Sequence, residues 1–208
     1  YSNAQGYLWS IGNERGFDVG VSLDVADPAL ASDSTGYAAT FNFATYFAMP
    51  WLRHHNLALH VSGGASADNR GGNGPFYVGG FIDLPVVDVV RNQLIQGGIQ
   101  LRGYPVVAEV GSYYTLLNAE YHFPIINVDR GPSTLPIFLE RISGAAFVDY
   151  GSAFDSPETA QFKTGAGGEL WFDVTLGYIL DFTFRAGYAR GLASGGIDKT
   201  YFVAAVPF

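Results

Sequence analysis

The sequence predicts an all-β chain, a transmembrane antiparallel β-barrel of about nine strands, on three observations. Apolar residues recur at a period of two, the period of a strand. Several of the alternating runs reach or exceed the roughly 9–11 residues that a tilted strand needs to cross a bilayer, where soluble strands usually have about 5–6. The composition combines 27 glycines, 13 tyrosines and 16 phenylalanines with only 14% charged residues, against about 25% in soluble domains. Glycine, aromatics and few charges suit strands that face lipid on one side only.

The same composition excludes other classes. At 48% hydrophobic, with runs broken by Gly, Asp or Asn every few positions, no stretch approaches the roughly 20 apolar residues of a spanning helix. The 208 residues include no cysteine, which rules out a disulfide scaffold, a thiolate metal site and a Cys nucleophile. The net charge of −8 opposes a nucleic-acid partner, since phosphate binding wants a basic patch. Acidic residues collect in segments that read as loops or barrel interior: Asp24, Asp27, Asp33, Asp68, Asp155 and Glu158. The chain lacks the basic start, apolar core and initiating Met of a signal peptide. It opens at Tyr1 inside what reads as a strand, and is expected to be a processed product or a fragment.

The expected strands are 4–12, 15–26, 36–49, 55–65, 110–123, 138–151, 164–177, 178–190 and 200–208. Phe17, Val19, Val21, Leu23 and Val25 alternate with Asp18, Gly20, Ser22 and Asp24. Leu57, Leu59 and Val61 alternate with Ala58, His60 and Ser62, and Leu180, Phe182, Phe184 and Tyr188 with Asp181, Thr183 and Arg185. Short turns such as Gly12-Asn13-Glu14 and Gly177-Tyr178 contrast with longer Asp-, Ser- and Pro-rich loops, the two-rim pattern of a membrane barrel. Residues 86–95 read as one short turn of helix inside a loop. A soluble sandwich or lipocalin-like barrel would carry Lys, Glu, Thr and Gln on its polar face; here that face is Gly, Ser, Asn, Asp and Ala. Aromatics near strand ends, among them Tyr37, Phe47, Trp51, Tyr121 and Tyr150, fit interfacial girdles. Phe202, Ala204, Val206 and Phe208 alternate up to the C-terminus and are similar to the C-terminal strand signal of bacterial outer-membrane proteins. Nine strands conflict with the even number of bacterial barrels; either the count is off by one or strands precede Tyr1.

Residues 66–109 are too long for a plain connection and too apolar to be solvated throughout, so they are expected to fold back into the barrel lumen. Within them, Leu101-Arg102-Gly103-Tyr104 resembles the (V/L)RG(F/Y) motif of the outer-membrane assembly and secretion superfamily that includes BamA, TamA and the two-partner secretion transporters. Five strands follow it, as in that family. Leu117-Asn118-Ala119-Glu120-Tyr121-His122-Phe123-Pro124 resembles the family's N-x-E-Y-x-F-P pattern, Gly144 to Gly151 its G-x-x-F-x-D-x-G, and Gly165 to Leu170 its glycine-rich penultimate region. The matches cover residues 100–208 in order; residues 1–65 match only as generic strands.

By strand parity Phe147, Asp149 and Gly151 share a face with Ser143 and Ala145, while Ile142, Ala146, Val148 and Tyr150 share the lipid-like one. Asp149 therefore points inward, where Arg102 on an inward-folded loop can reach it, and a planar guanidinium can grip a carboxylate bidentately. The resemblance implies that pairing. Glu169 also points inward, opposite Leu170, Phe172 and Val174, and is a second candidate partner. Two readings of Arg102 stay open, a lock that only stabilises the loop and a functional switch.

Weaker candidates point elsewhere. Gly165–Gly168 lacks the helix and lysine of a phosphate-binding loop. His54 and His55 are adjacent and make a poor metal pair. His60 and His122, with Ser62 and Ser112, would need a converging Ser-His-acid set for hydrolysis; no enzyme activity, metal or cofactor is expected. The resemblance implies a bacterial outer-membrane location and a sixteen-strand barrel, with about seven strands and accessory periplasmic modules before Tyr1. It also implies insertion of outer-membrane proteins or polypeptide secretion, with the lipid bilayer and client polypeptides as partners. A passive pore, or a barrel anchor for a fused soluble domain, is the alternative.

Overall fold

A computed structural model describes residues 1–7, 10–30, 35–67, 76–81, 100–131 and 135–205. Ten strands form among them: β1 (Gly16–Ala26), β2 (Gly36–Ala48), β3 (Asn56–Ala67), β4 (Phe76–Val78), β5 (Glu109–Gly111), β6 (Tyr113–Arg130), β7 (Ile137–Phe154), β8 (Lys163–Leu176), β9 (Leu180–Gly191) and β10 (Asp198–Ala205). Eight make one sheet in the order β1-β2-β3-β6-β7-β8-β9-β10, every neighbour antiparallel. β4 and β5 form a separate two-stranded ribbon. The fold is all-β, as the period-two pattern implies. Among the described residues β1 and β10 do not pair with each other, so the sheet has two edges.

The expected nine strands become eight in the main sheet. The strand expected at 4–12 does not form among its described residues. Residues 1–5 instead run along the outer edge of β1, where Asn3 and Gln5 donate to the carbonyls of Phe17 and Arg15. The chain then turns at Tyr7, whose N–H donates to Ser10 Oγ, and Ser10 is turned inward by its hydroxyl bond to Glu14. A local side-chain acceptor has here outcompeted the strand ladder.

The expected strand 110–123 breaks at Ser112. Its N–H and hydroxyl both donate to Asp155 Oδ1, and its carbonyl accepts from Ser66. Those bonds, the backbone one first, hold the exposed Asp155 carboxyl below its ordinary pKa. β6 then runs on past Pro124 to Arg130, with register shifts after Pro124 and Asn127. Proline has no N–H to give a ladder, so a bulge is where a strand can keep one. The helical turn expected at 86–95, Val206 and Phe208 lie outside the described residues.

Connections divide between two rims. By strand direction the β2–β3, β6–β7 and β8–β9 connections start from one, and the β1–β2, β3–β6, β7–β8 and β9–β10 connections from the other. β1 begins and β10 ends at the rim of the 177–179 turn. Parity holds along the strands. Val21 (74% exposed), Leu23, Phe41, Leu117, Val148, Leu170 and Phe202 are exposed on one face. Asn56, Ser62, Asn118, His122, Ser143, Asp149 and Glu169 are buried on the other. Apolar side chains are thus outside and polar ones inside, the reverse of a sheet covering an apolar core in water.

The three-residue turn 177–179 carries Gly177 at φ 62 and Tyr178 at φ 64. Positive φ at successive positions matches the right-handed twist of a tight hairpin, but a tyrosine pays a steric penalty there that glycine does not. Tyr178→Gly is expected to stabilise the β8–β9 hairpin by about 1 kcal/mol, read as a raised denaturant midpoint; a lowered midpoint would show that the exposed ring contributes more than the backbone loses.

Candidate functional site

Strand register builds the inner face as three rows. Asn118, Asp149, Gly165 and Gly191 align across β6–β9; Glu120, Phe147, Gly167, Ala189 and Lys199 align across β6–β10; His122, Ala145, Glu169, Gly187 and Tyr201 form the third row. Carboxylates stand on β6, β7 and β8, with glycines beside them on β8 and β9. Residues 100–104 lie in that cradle.

The glycines decide where the segment rests. A Cβ on Gly165 would stand 1.9 Å from the Arg102 carbonyl oxygen, and one on Gly191 would stand 2.4 Å from the Gly103 carbonyl oxygen. These two residues face each other across β8 and β9, so the wall is bare where the segment's backbone touches it. Gly103 itself has φ +86, and its own Cβ would meet Arg190 and Gly191 backbone at 2.5 Å. Both the turn and the close approach require glycine. Gly103 O then accepts from Ile197 N at 2.9 Å.

Arg102 is 4% exposed and Asp149 is fully buried. The grip is bidentate: Nε donates to Asp149 Oδ2 at 2.8 Å and Nη2 to Oδ1 at 2.7 Å. Asp149 also accepts the Arg102 backbone N–H at 2.9 Å and the Asn118 amide at 2.6 Å. One carboxylate thus fixes both the side chain and the main chain of the motif arginine. Arg102 reaches further, to Glu169 Oε1 at 3.0 Å and to Glu120 Oε1 at 2.6 Å, and its guanidinium lies 3.5 Å above the Phe147 ring centroid. The ring supplies a cation–π bed, and the three carboxylates neutralise the plane's edge.

Glu169 is a second hub. Its Oε2 accepts from Trp171 Nε1 and Arg185 Nε, both at 2.7 Å, and from Arg185 Nη2 at 2.5 Å. Its Oε1 accepts the Tyr201 hydroxyl. Glu120 Oε2 is 2.9 Å from His122 Nε2; a carboxylate can only accept, so that nitrogen carries the proton. Burying a charge is costly unless it is paired and hydrogen-bonded, and here every charge is.

The remaining expected residues lie around this centre. Leu101 and Tyr104 are fully buried in one cluster with Val78, Leu116 and Ala153. Tyr104 donates to Thr164 O at 2.9 Å and accepts from Ala193 N at 3.0 Å. Gly151 leaves room for Leu116, whose Cδ2 would stand 2.5 Å from a Cβ there. Phe202 is exposed on the outer face. The structure therefore brings Arg102 together with Phe147, Asp149 and Glu169, and places Phe202 apart from them. Elsewhere, Ser112 is bound to Asp155 and His122 to Glu120, so neither pair joins a serine to a histidine.

Glu120, Asn118, Arg185 and Tyr201 also belong to the site; the sequence marks Asn118 and Glu120 only as members of the N-x-E-Y pattern, and Arg185 and Tyr201 not as site residues. Parity places Asn118 and Glu120 inward on the strand of the N-x-E-Y pattern, and Arg185 inward between Phe184 and Ala186; that signal was available. Tyr201 reaches Glu169 across the intervening β9 only because Gly187 has no side chain, since a Cβ there would stand 2.4 Å from its ring. A single strand's pattern carries no trace of that. No protein-family model matches the chain, and no curated protein matches it.

Arg102→Ala removes one partner from a buried network and is expected to destabilise the seated segment by about 3–5 kcal/mol, read by protease susceptibility around residues 100–104. Arg102→Lys is expected to rescue little, because an ammonium cannot span both Asp149 oxygens. Gly165→Ala is expected to unseat the same segment with all charges intact. Protection unchanged in Gly165→Ala would mean that the segment does not rest on the β8 wall.

Proposed function

We propose that this chain forms part of the wall of a bacterial outer-membrane β-barrel that inserts or secretes polypeptides, and that its Arg102 segment holds the lumen in its working arrangement. The observation that carries the reading is the inside-out sheet. Large apolar residues stand exposed on one face, and a fully paired ionic network is buried on the other beneath an inward-folded loop. A soluble protein rarely exposes so large an apolar patch, whereas lipid favours it. The even number of strands in the sheet, and the start of β1 and end of β10 at one rim, fit a barrel of this kind.

In lipid, the edges of β1 and β10 need partners. In a sixteen-strand barrel the eight strands of this sheet supply half of the wall, one fewer than the expected nine, so eight others, rather than seven, complete it. β10 then forms one side of the seam between last and first strands, and a client strand adds to it by β-augmentation. The partners are the bilayer and client polypeptides, and the work needs no cofactor. An eight-strand sheet also suits a second reading, a passive pore or structural barrel, since eight strands can enclose an interior filled by side chains.

Two experiments test this. Val148→Arg, at the outward middle of β7, is expected to cost about 2–4 kcal/mol of folding free energy in vesicles; an effect within about 0.5 kcal/mol would place Val148 in water and end the membrane reading. Arg102→Ala is expected to lower client insertion or secretion while the barrel stays in the membrane. Unchanged transport, together with steady ion conductance through the barrel, would favour the pore.

A further inference from the structure

The long loop touches β10 at two points, the residue before it at a third, and is linked to it through Glu169 at a fourth, none of which the Arg102–Asp149 pair requires. Ile197 N donates to Gly103 O at 2.9 Å, just before β10 begins. Lys199 Nζ donates to Phe81 O at 3.0 Å. The Phe81 and Tyr201 rings lie 4.5 Å apart between centroids. Finally, the Tyr201 hydroxyl and Arg102 Nη1 donate to the same oxygen, Glu169 Oε1. Lys199 and Tyr201 are the inward residues of β10, and among the described residues β10 has one strand neighbour, β9. A strand laddered on one side opens more readily than one laddered on both, so inward side-chain ties add to what the β9 ladder holds.

We infer that Tyr201 is a positioning residue which couples the seating of residues 100–104 to the retention of β10, so that loop and edge strand are released together. The path is short and physical. Tyr201 lies over Gly187, its ring is clasped between that glycine and Phe81, and its hydroxyl completes the donor set of Glu169. With the loop unseated, the ring loses Phe81, Lys199 loses its carbonyl and Glu169 loses Arg102. With β10 withdrawn, the loop loses the contacts at Phe81 and Gly103. Because both states share these contacts, the coupling must be reciprocal. The meaning of the coupling rests on the seam reading of β10, for there the loop would report on, and be reported by, the strand that meets a client. The coupling itself does not depend on that reading.

The test is amide hydrogen exchange on the full chain in detergent micelles, comparing the parent with Tyr201→Phe, Phe81→Ala, Arg102→Ala and Tyr201→Phe/Arg102→Ala. Tyr201→Phe removes one oxygen and leaves ring, strand pattern and charges in place. It is expected to speed exchange at residues 100–104 by about tenfold, although no atom of that segment is altered. Arg102→Ala is expected to speed exchange across 198–205 by a similar factor, and the double variant to exchange no faster at either place than the faster single one. Phe81→Ala, which leaves the ionic network whole, is expected to speed both. If Arg102→Ala does not fold, Tyr201→Phe and Phe81→Ala decide alone. Faster exchange confined to β10 in Tyr201→Phe, with 100–104 at the parent rate, overturns the inference. The readout needs only the folded chain, so a failed transport assay and a failed coupling are separate results.

Discussion

Asp149 can be buried only because Arg102 meets it, and much of the inner face follows from that requirement. A carboxylate with no exposure to solvent must be matched by donors. Arg102 supplies three of them, two from the guanidinium and one from its own backbone N–H, and Asn118 the fourth. A grip on side chain and main chain together fixes the orientation of the residues that follow. Gly103 must then turn at φ +86, and its carbonyl must come so close to β9 that only glycine fits at 191. The arginine's own carbonyl forces the same choice at Gly165. The glycine-rich stretch of β8 is therefore the surface into which the motif is pressed, and the absence of side chains there is as specific as the charges beside it.

The charges do not recommend themselves as a source of stability. A buried ion pair often does no better than an apolar group of the same shape, while loss of one partner is costly. What the network contributes is position. Two guanidinium groups, Arg102 and Arg185, share Glu169, and Arg102 also joins Glu120 on β6 to Asp149 on β7. Four adjacent strands and one loop thus converge on a few ångströms, with aromatic rings of Phe147 and Trp171 under the two cations. On the opposite face Val21, Val148 and Leu170 stand exposed. Inner and outer faces are two consequences of one alternating pattern.

That pattern is why so much was legible in the sequence. Period-two alternation marks seven of the strands within a few residues and places Asp149 and Glu169 inward. The errors have local causes. The Ser10 hydroxyl and the Asp155 carboxylate accept the backbone N–H groups of Tyr7 and Ser112, so alternation at 4–12 and across 110–123 promised more ladder than forms. The expected strand stops at Phe123, but a bulge carries β6 past Pro124. Of the partners of Arg102, Asp149 is legible from parity and motif order and Glu169 from parity, while Glu120 shares the inward parity without standing out; the contact of Tyr201 with Glu169 is not legible at all. A contact across an intervening strand depends on what the middle strand lacks, and Gly187 shows nothing of this in its own neighbourhood.

The account depends most on a direct energetic link between Arg102 and Asp149. A double-mutant cycle with Arg102→Ala, Asp149→Ala and the double variant measures it, with unfolding free energies taken on the full chain under one set of conditions. The expected coupling is about 2–3 kcal/mol, the upper range for residues in one hydrogen-bonded network, because each single change strands the other group inside the wall. Additivity within about 0.5 kcal/mol would mean that the two groups do not depend on each other, and the inner face would need another organising contact.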